Sequence, residues 1–188
     1  MATPRLIIKP VTASTWKDFE ALFESKGAPS YCWCMAWREI ENRTTATNAD
    51  RKAAMRARVT KRVPIGLLGY LDGEPVAWCS VAPRQTFVQL SKEQDDNETG
   101  VWAVTCFFIR RSHRGEGLSA QMLKAAIAHA KKAGATVVES YPVDPDSPSY
   151  RFMGFVPLYE AQGFEEIGRA GTRRHVMRKA LRRRARSR

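Results

Sequence analysis

The stretch HRGEGLSAQML, from His113 to Leu123, combines the features of an anion-binding turn. Gly115 and Gly117 stand beside Arg114 and open onto a run in which Leu118, Met122, Leu123, Ala126, Ile127 and Ala130 share one helical face. At the start of such a helix the unpaired N–H groups from Gly115 to Ser119 point outward together, and the macrodipole adds to their field. Glycine lets a phosphate approach the backbone, and Arg114 offers a fork of donors suited to it. Glu116 sets a carboxylate inside the same turn. It opposes a bound anion unless it faces solvent or pairs with Arg110 or Arg111.

Two nucleotide motifs can be compared with this turn. A P-loop requires Lys followed by Ser or Thr after its last glycine, and none follows here. A dinucleotide fingerprint is nearer, because Gly115-x-Gly117-x-x-Ala120 fits it and Glu139 stands where a ribose-binding acid would. Against it, RRSHR separates the preceding strand from the first glycine, and too little chain remains for the second half of such a fold. The cysteines are no better as a metal motif. Cys32, Cys34, Cys79 and Cys106 lack the C-x₂₋₄-C spacing of a structural zinc site. Reduced, partly buried thiols and no metal are expected, and no histidine is placed by sequence to activate Cys79 or Cys106 as a nucleophile.

The elements that must position these residues follow from periodicity. RLIIKPV (5–11) reads as a strand, and STWKDFEALFESKG as a helix capped by Ser14 or Thr15 and stopped by Gly27. APSYCWCMAWREI has no clear period. NADRKAAMRARVTKRV reads as a basic helix capped by Asn48. IGLLGYL, the turn Asp72-Gly73 and EPVAWCSVAP give a hairpin, and SKEQDDNETG reads as a polar loop. VWAVTCFFI (101–109) and ATVVESYPV (135–143) read as buried strands. A helix ending at Gly134 joins these two. SPSYRFMGFVPLYEAQG holds a short helix, and GFEEIGR and TRRHVMRKAL close as two strands. A mixed sheet flanked by helices packs this order of elements.

The run VTCFFIRRSHRGEGLSAQMLKAA, followed by PLYEAQGF, resembles the GNAT acyltransferase superfamily. Its pyrophosphate motif, Q/R-x-x-G-x-G/A, maps onto Arg114, Gly117 and Ser119, with Ser in place of the small apolar residue. Its closing motif appears as Leu158-Tyr159-Glu160-Ala161-Gln162-Gly163-Phe164, with Phe152 where the family usually has asparagine. CWCMAWR, WCSVAPR and VESYPVD are similar to a bacterial GNAT subgroup. The resemblance implies an α/β GNAT fold: a mixed central sheet of about six or seven strands, with a splayed parallel pair (101–109 and 136–142), flanked by helices. It implies a single acyltransferase domain over 1–180 and a basic tail over 181–188.

It further implies an acyl-CoA co-substrate, acetyl-CoA above all, gripped by Phe107, Phe108, Ile109 and the turn Arg114, Gly115, Glu116, Gly117, Leu118 and Ser119. A small-molecule amine would attack the thioester directly in a ternary complex. Tyr159 matches the family's general acid, and Glu139 is the expected base, with Asp144 second. Tyr31, Trp33, Trp37 and Arg38 are expected to wall the acceptor pocket.

Charge points to another class of partner. Lys and Arg number 31 against 19 Asp and Glu, a net charge of +12. RKALRRRARSR, from Arg178 to Arg188, contains no acid. With Arg51, Lys52, Arg56 and Arg58 it could form a footprint for nucleic acid. That footprint motivates a second reading, a GNAT-fold transferase using aminoacyl-tRNA as donor, and a third, a non-catalytic RNA-binding or regulatory module. No apolar run approaches a membrane span, no signal-peptide core is seen, and a cytoplasmic protein is expected, with a homodimer allowed.

Overall fold

The computed structural model describes residues 6–91 and 98–181. Seven strands form one sheet in the order β1-β2-β3-β4-β5-β7-β6. They are β1 (Ile7–Pro10), β2 (Leu67–Leu71), β3 (Glu74–Pro83), β4 (Val101–Ile109), β5 (Val137–Ser140), β6 (Glu165–Ala170) and β7 (Arg174–Ala180). All neighbours are antiparallel except β4 and β5. Among the described residues, five α-helices flank the sheet: α1 (Trp16–Glu24), α2 (Asn48–Thr60), α3 (Val88–Ser91), α4 (Leu118–Lys132) and α5 (Val156–Glu160). This is the α/β arrangement expected, with α3 added.

Alternation along the strands builds two large cores, beside a smaller cluster around Phe87, Ala103, Tyr141 and Val176. One face, with Leu67, Cys79, Val104 and Ile109, packs on Met122, Leu123 and Ala126 of α4 and on Tyr159 of α5. The other, with Leu68, Trp78, Cys106 and Phe108, packs on Phe19, Leu22 and Phe23 of α1 and Met55 and Val59 of α2. Helix α2 is capped by Thr47 rather than Asn48: the Thr47 hydroxyl accepts the Asp50 N–H while the Asp50 carboxylate accepts the Thr47 N–H. The β2–β3 hairpin turns through Asp72 and Gly73, both at positive φ, as a two-residue primed turn requires.

Candidate active site

β4 changes character halfway along. Its first residues pair with β5, Val101 to Val104 against Val137 to Ser140, and there the parallel ladder stops. The register with β3 slips at the same point, Val81 facing Val104 while Ser80 faces Cys106, so Thr105 is an extra residue in β4. A bulge of this kind bends and twists its strand. The chain leaving β5 turns instead toward α5: the Val143 N–H donates to the Gly154 carbonyl, and the Val156 N–H to the Val143 carbonyl, each at 3.1 Å. The splay expected between these strands is therefore present. It leaves the edge of β4 beyond Thr105 without a strand neighbour.

A cavity of about 790 Å³ fills the gap. Cys106, Phe107, Phe108 and Ile109 of β4 line it, with Arg114 and Ser119 at one end and Phe152, Gly154, Phe155 and Leu158 along one side. Gly27 to Pro29, Tyr31, Cys32, Cys34 and Trp37 form the opposite wall. Arg151 also reaches the cavity, its guanidinium tied to the Pro145 and Ser147 carbonyls and stacked 4.8 Å from Phe155. Among the described residues, neither Asp nor Glu lines the cavity.

At the Arg114 end, Gly117 caps α4 in a left-handed conformation, with φ +73°, and no side chain satisfies the first turn. Its opening N–H groups take no side-chain cap, the arrangement in which a helix start can receive an anion. Gly115 is also left-handed, and no protein atom stands within 4 Å of where a Cβ would lie on either glycine. Here the positive φ, rather than crowding, requires glycine. Arg114 bends back so that its Nε donates to the Ile109 carbonyl at 3.1 Å. Glu116 faces solvent, 3.5 Å from His113 Nδ1, and pairs with neither Arg110 nor Arg111. Leu118 turns inward to the core.

Several expected site residues lie elsewhere. Trp33 is buried against Phe23, stacked at 5.6 Å, and does not reach the cavity. Arg38 is fully buried beneath the wall, where it stacks on Phe87, and cannot meet an acceptor's anionic group. Glu139, expected as the base, is wholly buried on the sheet's other ledge. It takes hydrogen bonds from Arg178 Nε at 2.6 Å and from the Tyr141 hydroxyl, and sits 3.4 Å from Arg84 Nη1. Asp144 accepts from His175 Nε2 at 3.1 Å. The Tyr159 hydroxyl is fully buried and donates to the Met153 carbonyl at 2.8 Å, and Tyr159 is not among the residues that line the cavity. Burial foremost, then the neighbouring Cys79 and Cys106, push its pKa well above the usual phenol range.

Sequence reasoning missed a cluster of thiols. Cys34, from the turn after α1, meets Cys106 of β4 at the cavity wall, beside Cys32. The C-x-C pair and a cysteine in an apolar strand were visible, but their meeting depends on tertiary packing. The basic face expected on α2 is largely engaged within the fold. Lys52 binds Glu20 and Glu24, and Arg58 donates to the Ala54 and Glu39 carbonyls. Residues 182–188 of the basic tail lie outside the described residues.

A family model described as the acetyltransferase (GNAT) family matches residues 16–164. No curated protein matches this chain. Solved structures do. A ribosomal-protein-alanine N-acetyltransferase from Brucella melitensis is 18% identical, with 93% of this chain and 99% of that one covered and a TM-score of 0.58. The yncA protein of Salmonella typhimurium, solved with its cofactor acetyl-CoA, is 15% identical, with 96% of each chain covered and a TM-score of 0.57. AAC(6')-Ib, in complex with ribostamycin and coenzyme A, is 18% identical, with 93% of each chain covered and a TM-score of 0.62. At these identities the likeness is one of fold.

Proposed function

Because the chain belongs to the acetyltransferase (GNAT) family, we propose that it moves an acetyl or other acyl group from acyl-CoA to an amine of a small molecule. The observation that carries this reading is the free edge of β4, which lines a cavity ending at the open N-terminus of α4. Two structures of the same fold hold acetyl-CoA or coenzyme A, which supports the choice of donor.

In this reading the diphosphate of CoA takes the free N–H groups of Gly117 to Ser119, with the Arg114 guanidinium and Ser119 hydroxyl alongside. The pantetheine arm hydrogen-bonds along Cys106 to Ile109 as an added strand would. The acyl end then lies toward Cys106, and the amine enters past Tyr31 and Trp37. It attacks the thioester carbonyl directly in a ternary complex, and a free N–H of β4 steadies the developing oxyanion. With no carboxylate among the described residues that line the cavity, the incoming ammonium gives its proton to water.

Calorimetric titration with acetyl-CoA tests the reading. Binding with a Kd on the order of micromolar, about −8 kcal/mol, is expected. Arg114→Ala should weaken it about tenfold by removing charge-assisted phosphate bonds. Absence of heat at millimolar acetyl-CoA would overturn the proposal.

A further inference from the structure

Cys34 stands in surroundings that a structural cysteine does not need. Trp78 Nε1 points its N–H at the sulfur from 3.4 Å, and the Cys106 thiol and Ser80 hydroxyl lie beside it. Beside it lies Arg38, fully buried. The guanidinium donates to the carbonyls of Cys34 and Ile65 at 2.6 and 2.8 Å and to Ser80 Oγ at 3.0 Å. All three acceptors are neutral, and among the described residues the ionisable groups that act on Arg38 are the thiols of Cys34, Cys106 and Cys32, with Cys34 foremost. A cation held out of water without an anion is costly, and a thiolate at Cys34 is the group placed to offset it.

The backbone is committed to this geometry. Trp33 and Cys34 adopt successive left-handed conformations, with φ of +45° and +56°. Non-glycine residues hold such angles only where the surroundings impose them, and they cluster at functional sites. The bulge at Thr105 turns Cys106 to the same face. The donors outweigh burial, Cys106 first and then Arg38, Trp78 and Ser80, and bring the Cys34 pKa down to about 6. Burial holds Cys32 up at about 11.

Cys34 also lies where an acyl group would end. From Ile109, near the anion-binding turn, β4 runs back three residues to Cys106, about 10 Å at a strand's rise of ~3.3 Å per residue. Cys34 and Cys106 share the cavity wall at that point.

We propose that Cys34 is a covalent acyl acceptor, acylated by the thioester when no amine occupies the cleft. This rests on the reading that the cavity binds an acyl thioester. The Cys34 thiolate attacks the carbonyl carbon, the bond from that carbon to the donor sulfur breaks, and the donor leaves as a thiolate that takes a proton from water. The product is S-acyl-Cys34. Acylation removes the negative charge beside Arg38, so the adduct is disfavoured relative to the thiolate and open to hydrolysis or to onward transfer.

The test exposes the full-length protein at pH 7.5, without amine, to acetyl-CoA and in parallel to S-acetyl-N-acetylcysteamine, a thioester lacking the nucleotide. Intact mass and peptide mapping read the outcome. The expected result is a gain of one acetyl group, released by neutral hydroxylamine, on Cys34 at least about tenfold above Cys32, and lost in Cys34→Ser. Mapping of the native protein locates the group even if that variant folds poorly. Labelling of Cys34 by the short thioester alone would support the proposal while removing CoA as the donor. Calorimetric binding of acetyl-CoA with no acetyl group on Cys34 from either reagent would overturn it and leave the CoA reading standing, as would an adduct confined to other residues.

Discussion

Tyr159 and Cys34 are both buried acids, and their neighbours drive them in opposite directions. Around Tyr159 burial dominates, so the phenol keeps its proton and spends it on the Met153 carbonyl. Tyr159→Phe strips that carbonyl of its donor and should cost about 1–3 kcal/mol of stability in a urea titration, with kcat within a few-fold of native. A loss of kcat on the order of a hundredfold at unchanged stability would instead restore Tyr159 as the proton donor. Around Cys34 the donors win. Its thiol ionises at about 6 when folded, against 9.0 for an unperturbed cysteine. The thiolate therefore adds stability that is present in full above pH 9 and is lost as pH falls toward 6. Native protein should lose stability relative to Cys34→Ser between pH 9 and 6, by up to about 1.4 kcal/mol per pH unit. Urea titrations of both proteins across that range measure it, and a difference that does not change with pH would refute it. None of this was visible locally: Arg38 in CWCMAWR was expected in the wall of the acceptor pocket, and only packing shows it buried beside a thiol.

At the level of elements, β4 and the turn into α4 were the most legible parts of the chain. VWAVTCFFI is apolar almost throughout because the strand is covered on both faces, and its expected bounds match Val101–Ile109. The glycines of the turn are required by backbone angles, which composition reveals directly. The bulge was not legible. One extra residue at Thr105 reverses which way every later side chain points, so Cys106 and Phe108 face α1 while Phe107 and Ile109 face α4. The turn's anion preference can be set against helix stability with one substitution. Ser119 lies in the first turn of α4 and lines the cavity. Ser119→Asp should stabilise the helix start by about 0.3–1 kcal/mol, since a carboxylate complements the dipole. The same charge repels a diphosphate, so acetyl-CoA should bind about tenfold or more weakly. Thermal melts and calorimetry report the two effects separately, and unchanged affinity would place the anion site elsewhere.

Over the whole molecule, the splay that opens the cavity also weakens the sheet. Among the described residues, the short ladder from Val101–Val137 to Val104–Ser140 joins the β1–β4 half of the sheet to the β5–β7–β6 half. Glu139 sits within those rungs, opposite Ala103 on one side and Arg178 on the other. Its carboxylate binds Arg178 of β7 and approaches Arg84, which follows β3, while Glu98 pairs with the outer face of both arginines. This network ties three strands together where the sheet is narrowest, and sequence could not show it because its members come from four separate segments. A carboxylate on a buried strand beside a cleft reads equally well as a base, and the two roles predict different losses. As a tie, Glu139→Ala removes the buried carboxylate that Arg178 and Arg84 share and should cost about 3–5 kcal/mol in a urea titration. The folded fraction should then retain kcat/KM within a few-fold. As a base, the same change would leave stability nearly intact and reduce kcat by about 10²–10⁴-fold. Arg178→Met separates the cases further. It contacts no cavity residue, so under the tie it lowers stability in the same direction as Glu139→Ala, and the paired change costs less than the two single changes added together, because the interaction is already lost.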